Sequence, residues 1–529
     1  MRRRSFLKNT IPAAAILPAM VDGYAVKAFN ANSPLMQALM NPAIETDHVL
    51  VIIQLSGGND GLNMVIPIST YGDYYSARSN VAIAQNKILP LEGYAATGLH
   101  PAMTGMQTLY KEGKLNIVQS VGYPQPNFSH FRATDIWMSG SSSEQVVNTG
   151  WAGRYLNTEY PNFPEGYPNA TMPDPLAVQI GSIASLTLQG PAINMGMSIT
   201  NPTSFYNLIN NVLDPAPNNP MGRELTYIRT IANQTNAFAQ RIIAAATAVP
   251  QQGAYPENNS LADQLKIVAR LVKGGLKTRI YMVGMGGFDT HSSQAETADT
   301  SIGFHAELLK ELSDAVKAFM DDCTFLKIED RVMGLTFSEF GRRIKSNSSM
   351  GTDHGAAAPM FIFGGQAVPG VTGTNPSIPG GASVNDNIPH QYDFRSVYAT
   401  LLQKWFCVPD TTLQTILFQN FQSLNIVSDA DCKGTTEDPN QTAGVQLISN
   451  YPNPFTQSTT IKFKTKGKHT LIQIIDMLGR VIQTPIDKDY TQAGEFTVEF
   501  NSGSLPCGVY YARLQNGEIQ QVRPMLKVR

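Results

Sequence analysis

"HVLVIIQLSGGNDGLN", His48 to Asn63, decides the architecture. Its first half is a near-continuous apolar run rich in Val and Ile. It lacks the polar alternation of a strand with one wet face. Such a run reads as a strand buried on both sides, as in a parallel sheet covered by helices. Its second half is a glycine-rich turn that sets an acid, Asp60, just past the strand's end.

Working outward, strand and helix patterns alternate. "KLNIVQSVG" (Lys114–Gly122), "KTRIYMVGMGG" (Lys277–Gly287), "RVMGLTFSEFG" and "PMFIFGG" read as further strands. "FSHFRATDIWMSG" reads as a helix with Ser129 near its start. Helical spacing also marks Glu224–Ala246, Leu261–Lys273, His305–Asp322 and Phe394–Phe406. The alternation predicts an α/β domain with a largely parallel sheet flanked by helices, over residues 44–428. Residues 429–444 are small and polar and read as a linker. From 445 to 529 short alternating strands separated by turn residues predict a small all-β sandwich.

The chain has 529 residues, too many for one ordinary core, and 42% are hydrophobic. The formal net charge of -2 gives no footprint for nucleic acid or an anionic membrane. No apolar run reaches the roughly 20 residues of a transmembrane anchor. The four cysteines form no C-x-x-C pair, which argues against a cysteine zinc site, and their spacing assigns no disulfide. Residues 1–30 open with "MRRRSFLK" and a short Ala/Ile/Leu stretch broken by prolines. That order resembles a twin-arginine export signal, so an exported protein is expected, secreted or at the cell surface by way of the periplasm.

In an open parallel sheet, ligands bind beyond the carboxyl ends of the strands. Asp60 follows the first strand there. Asp289 and His291 in "FDTH" follow another, and Glu339 in "SEFGR" a third. Asp353 and His354, in the loop "TDHGAAAP", stand next to the strand "PMFIF". Carboxylates converging at one edge repel one another, and a divalent cation relieves that repulsion. Mixed carboxylate and imidazole ligands suit zinc first, then manganese or iron, and calcium least. One or two ions are expected, a pair standing about 4 Å apart to clamp an in-line phosphoryl displacement. Each residue also has a plain reading. Asp60 is a turn acid, Asp289 a cap, Glu339 a partner of Arg342 or Arg343, and Ser129 an N-cap. Their recurrence at strand ends favours the metal. Gly355 and the alanines after it would then leave room for close backbone approach.

"LSGGNDGLN", "GLHPAM", "NFSHFRATDIW", "GGFDTH", "FSEFGRR" and "TDHGAAAPMFIFGG" together resemble the domain-of-unknown-function family 1501 of exported proteins. That family is grouped with the alkaline-phosphatase-like superfamily, so the resemblance implies that fold. Carried over by motif, it implies metal ligation by Asp60, Asp289, His291, Asp353 and His354, with His390 ahead of His130 and His100 as a further histidine. It implies Ser129, at a helix N-terminus, as nucleophile, and Asn59, Arg132 and Glu339 as substrate contacts. The expected activity is metal-dependent hydrolysis of phosphate esters, with sulfate esters second because "SHFRATD" lacks the sulfatase pattern. The alternative is a non-catalytic envelope or surface binding protein on the same scaffold. In the tail, "NYPNPF", "DMLGRVI", "LPCGVYYARL" and "MLKVR" resemble the type A sorting domain of type IX secretion. The resemblance implies the export and type IX machineries as partners, and an address that carries no chemistry.

Overall fold

The computed structural model describes residues 46–181, 184–200, 235–428 and 432, and later 446–451, 455–476, 480–506, 508–516 and 519–527. It also describes two short strands at 19–21 and 24–26. The expected export signal lies outside these residues except for those two strands, and the expected linker except for Cys432. One compact unit spans Glu45–Cys432, and the C-terminal strands belong to a second.

The first unit is built on nine strands: β1 (Val49–Leu55), β2 (Leu115–Gly122), β3 (Ala177–Ile180), β4 (Gly196–Ile199), β5 (Ile280–Met285), β6 (Val332–Phe337), β7 (Ala358–Gly364), β8 (Gly370–Thr372) and β9 (Tyr392–Asp393). They form one sheet in the order β8-β2-β7-β6-β1-β5-β3-β4, with β9 also on β2. β1 pairs in parallel with β6 on one side and β5 on the other. β7 runs antiparallel to both its neighbours, β6 and β2. A reversed strand begins at the edge where its neighbours end. The start of β7 therefore joins the ends of β1, β2, β5 and β6 at one edge.

The period-2 geometry of β1 explains its unbroken apolar run. Val49, Val51, Ile53 and Leu55 enter one core. Leu50 and Ile52 enter the core on the other face. The main helices are α1 (Thr104–Lys111), α2 (His130–Ser139), α3 (Trp151–Glu159), α4 (Ser260–Lys273), α5 (Phe304–Phe325) and α6 (Phe394–Thr400). α4 starts where the Asn259 side chain accepts from the Ala262 N–H. α5 buries Leu309, Leu312, Val316, Phe319 and Met320 at three- and four-residue spacing. Full burial of each such side chain contributes about 1.5–3 kcal/mol.

Three elements differ from expectation. The predicted helix from Glu224 is described only from 235, and is helical from there to 247. The helix from Phe394 stays regular to Thr400 and then widens into a π turn over Leu401–Trp405. Asp353 and His354 lie not in a loop but in a short strand, Thr352–His354, paired antiparallel with Arg342–Ser346. Three of the four cysteines lie among the described residues. Cys407 and Cys432 form a disulfide and Cys323 is a buried thiol. Structural disulfides belong to oxidising compartments.

The second unit holds a three-stranded sheet (Gln446–Tyr451, Ser458–Lys466, Ala493–Asn501) and a four-stranded one (Val481–Asp489, His469–Ile475, Gly508–Asn516, Ile519–Lys527). Ile461, Phe463 and Phe500 from the first share a core with Ile472, Ile474, Leu514 and Met525 from the second. That is the predicted sandwich.

Candidate metal centre

Four segments meet at the common edge. β5 runs into the 286–294 loop, which carries Asp289 and His291. β6 runs into Glu339. The chain leaving β2 enters α2, whose first residue is His130. The Arg342–Ser346 hairpin brings Asp353 and His354. Its turn docks on the 286–294 loop by backbone hydrogen bonds: Ser293 N to Ser349 O (3.0 Å), Gln294 N to Met350 O (2.8 Å) and Thr352 N to Thr290 O (3.1 Å). The approach is close enough to require glycine, since a Cβ at Gly351 would stand 2.2 Å from the His291 carbonyl. Gly355 serves the hairpin itself: a Cβ there would stand 2.3 Å from the Arg342 backbone.

Ligand atoms of His130, Asp289 and His354 lie within 4.8 Å of one another. His291 joins them. Its Nε2 is 2.9 Å from His354 Nε2 and 3.2 Å from Asp289 Oδ1. His354 Nε2 is 3.2 Å from the same oxygen, and His130 Nε2 is 3.4 Å from Asp289 Oδ2. The other nitrogen of each ring faces an acceptor. Nδ1 of His354 meets Phe128 O (2.8 Å), that of His291 meets Asp353 Oδ1 (3.0 Å), and that of His130 meets Glu339 Oε1 (2.8 Å). A carbonyl or carboxylate oxygen can only accept, so with a cation bound on the Asp289 side the proton of each neutral ring stays on Nδ1. Three Nε2 lone pairs then converge on one carboxylate. Outer partners of this kind fix the tautomer of metal-binding histidines.

Burial raises the Asp289 pKa, but the Arg342 hydrogen bond and then His354 more than offset it, holding it at about 2. Burial pushes His354 below its ordinary value, against the opposing pull of the Phe128 carbonyl, which keeps the ring neutral at pH 7. Burial also raises Asp353, and hydrogen bonds from Asn347 and His291 bring it down on balance. The two Nε2 atoms 2.9 Å apart cannot both present lone pairs unless a proton or a cation lies between them. A metal displaces such a proton. Three imidazoles and one carboxylate fit a divalent transition metal and do not fit calcium.

Residues 96–411 match the family described as "Protein of unknown function (DUF1501)". The chain belongs to that family. Residues 449–527 match the secretion system C-terminal sorting domain. That domain marks the protein as secreted or cell-surface and gives it an export machinery as partner. No helix among the described residues is long and apolar enough to cross a membrane. No curated protein matches the chain. Similar solved structures include a protein in the alkaline phosphatase superfamily from Vibrio parahaemolyticus, at 10% identity and TM-score 0.33, covering 92% of this chain and 85% of that one. A phosphonate monoester hydrolase from Silicibacter pomeroyi aligns at 10% identity and TM-score 0.34, covering 91% and 88%. A sulfatase from Pseudoalteromonas sp. aligns at 10% and 0.32, covering 89% and 83%.

In this DUF1501 member the residues expected at the site are distributed unevenly. Asp289, His291 and His354 come together. Asp353 stands behind His291, and Glu339 behind His130 rather than beside an arginine. Glu339 is buried and also accepts from Gly57 N (2.8 Å). Asp60 stands apart, fully buried, with both oxygens on Arg78 Nη1 (2.7 and 2.8 Å) and Oδ2 also on Gln294 Nε2 (2.6 Å). Asn59 is equally buried, its amide oxygen facing His305 Nε2 at 2.9 Å and its nitrogen on Met64 Sδ. His390 is exposed, its Cβ packed over Gly122, and has no place in the cluster. Ser129 is the exposed N-cap of α2 and makes no capping hydrogen bond with its side chain. The Arg132 Nη2 donates to the carbonyls of Ser143 (3.1 Å) and Gln145 (2.5 Å).

His130, ranked behind His390 in sequence, takes the fourth position. Its signal was present, because it follows the end of β2 just as Asp289 follows β5. Arg342 and Gln294 carried no such mark. The buried Arg342 binds the carbonyls of Gly57, Gly58, Phe288 and Thr352 as well as Asp289 Oδ1 (2.8 Å). Gln294 Oε1 accepts from Thr290 (3.0 Å) and Thr352 (2.8 Å), one hydroxyl from the 286–294 loop and one from the Thr352–His354 strand.

Proposed function

We propose that this protein is an exported, metal-dependent hydrolase of phosphate esters, with sulfate esters as the second choice of substrate. The observation that carries the reading is the convergence of three Nε2 atoms on Asp289, each ring held by an acceptor at Nδ1. His130, His291, His354 and Asp289 would hold the ion, with zinc the first choice for this donor set. When bound, a divalent metal supplies a Lewis acid for the non-bridging oxygens of the ester. Asp353, Glu339 and the Phe128 carbonyl keep the three rings in the binding tautomer. The Ser129 hydroxyl lies one residue from His130, exposed at the α2 N-terminus, where free N–H groups favour an anion. It is the candidate nucleophile of this reading.

A binding protein on the same scaffold has one observation in its favour. Arg132, the expected anion contact, is committed to loop carbonyls. The test is to purify the mature protein, measure its metal content, and assay aryl phosphate, phosphodiester and aryl sulfate. Metal together with phosphate-ester turnover abolished in Ser129→Ala is expected. Bound metal with no turnover on any ester would favour the binding protein, and no bound metal would sink both the centre and the hydrolase.

A further inference from the structure

We propose that the centre takes one divalent cation and not two, with the guanidinium of Arg342 as a permanent positive charge beside it. The proposal rests on the metal reading above and concerns how many ions this chain's own donors can serve. A second ion needs carboxylate oxygens of its own. Asp60 and Asp289, at the ends of the adjacent strands β1 and β5, are the acids placed to supply them, since Asp353 and Glu339 are turned to the Nδ1 side of His291 and His130.

Neither is free to do so. Asp60 gives both oxygens to Arg78, and Gln294 adds a third hydrogen bond. The side chains of Asp60 and Arg78 are 1% and 0% exposed, so no ion reaches that carboxylate without breaking a buried pair. Asp289 Oδ1 accepts from Arg342 Nη2 at 2.8 Å. Arg342 cannot swing away. Its side chain is fully buried, and four backbone carbonyls from three segments also accept from it. A guanidinium does not deprotonate in a protein, so the charge is fixed. A second cation bridged through Asp289 would face that like charge at short range, where partial burial weakens screening.

What remains is Nε2 of His130, His291 and His354 and the free side of Asp289. Those donors suffice for one ion. Among the described residues no other group of three His, Cys, Asp or Glu ligand atoms gathers within reach.

The experiment uses the full chain with His469→Ala. His469 stands 3.1 Å from both Asp487 and Asp489 on the sorting sandwich, and its removal takes away an imidazole that could hold a surface ion. The protein is stripped with chelator, loaded with excess zinc, desalted and measured by elemental analysis, with a calorimetric titration alongside. One zinc per chain and a single binding step are expected. Two tightly held zinc ions per chain would overturn the single-ion proposal and leave the metal reading standing. None would overturn both. Asp60→Asn gives a second check. It should keep one zinc per chain with a lowered melting temperature, and loss of zinc from a folded Asp60→Asn protein would make Asp60 a ligand and end the proposal.

Discussion

Asp60 and Asp289 follow neighbouring parallel strands, yet they occupy opposite environments. Asp60 is sealed in the core by Arg78 and Gln294. Asp289 keeps an exposed side, 47% accessible, and collects three imidazoles and one guanidinium. A strand-end acid is thus a place in the fold rather than a function. Its partners decide what it does. Where a buried arginine takes both oxygens, the acid braces the fold. Where histidines from its own loop and two other segments arrive, it anchors a candidate metal centre.

The sharpest way to break this contrast is His354→Ala. It removes the nitrogen that faces both His291 and Asp289, and essentially all bound zinc should be lost while the circular dichroism spectrum holds. Retained zinc would mean that the ion sits elsewhere. On the other side of the contrast, Arg78→Met leaves the Asp60 carboxylate buried without its cation. Denaturant unfolding of the Glu45–Cys432 unit should show about 3–5 kcal/mol of destabilisation, with metal content of the folded fraction unchanged. A change under about 1 kcal/mol would deny Asp60 its structural role.

The same buried region predicts an acid dependence. Burial holds His305 near 4, with Asp60 opposing, and burial holds His100 near 3. In the unfolded chain each takes a proton near 6.5. Depressed folded values contribute stability that is present above pH 6.5 and lost as pH falls toward 4. Calorimetry across that range should show the melting temperature of this unit falling, and a flat profile would contradict the neutral burial of the two rings. A smaller effect is expected one step out from the metal. Asp353→Asn keeps an acceptor for His291 Nδ1 but removes its charge, so zinc affinity should drop about 10–100-fold by competition with a chelator. The smallest is Ser129→Ala. With no capping hydrogen bond to lose, stability should change by less than about 0.5 kcal/mol, whatever happens to turnover.

Much of the site was legible because strand ends are. The apolar run Val49–Leu55, the turn after Met285 and the pair Asp353–His354 pointed to one edge, and the sheet order brings them there. The strand containing His354 reads as a loop in sequence because three residues of Thr-Asp-His have no periodicity of their own. They become a strand only by pairing with Arg342–Ser346. His390 ranks ahead of His130 in sequence because spacing along the chain does not say which of the two the fold brings to the Asp289 edge.

The sequence by itself determined an α/β core with helices on both faces, a sandwich tail with a sorting address, and the set of acids and imidazoles at strand ends. These follow from hydrophobic period and turn chemistry, which are local. Only the tertiary structure decided which acid keeps its oxygens free. That choice depends on Arg78 and Arg342 reaching across 18 and 53 residues of chain, and on a reversed strand that delivers His354 to the same edge. Charge pairing between distant segments is a property of the packed fold, because an ion pair forms only where burial and geometry bring both partners together.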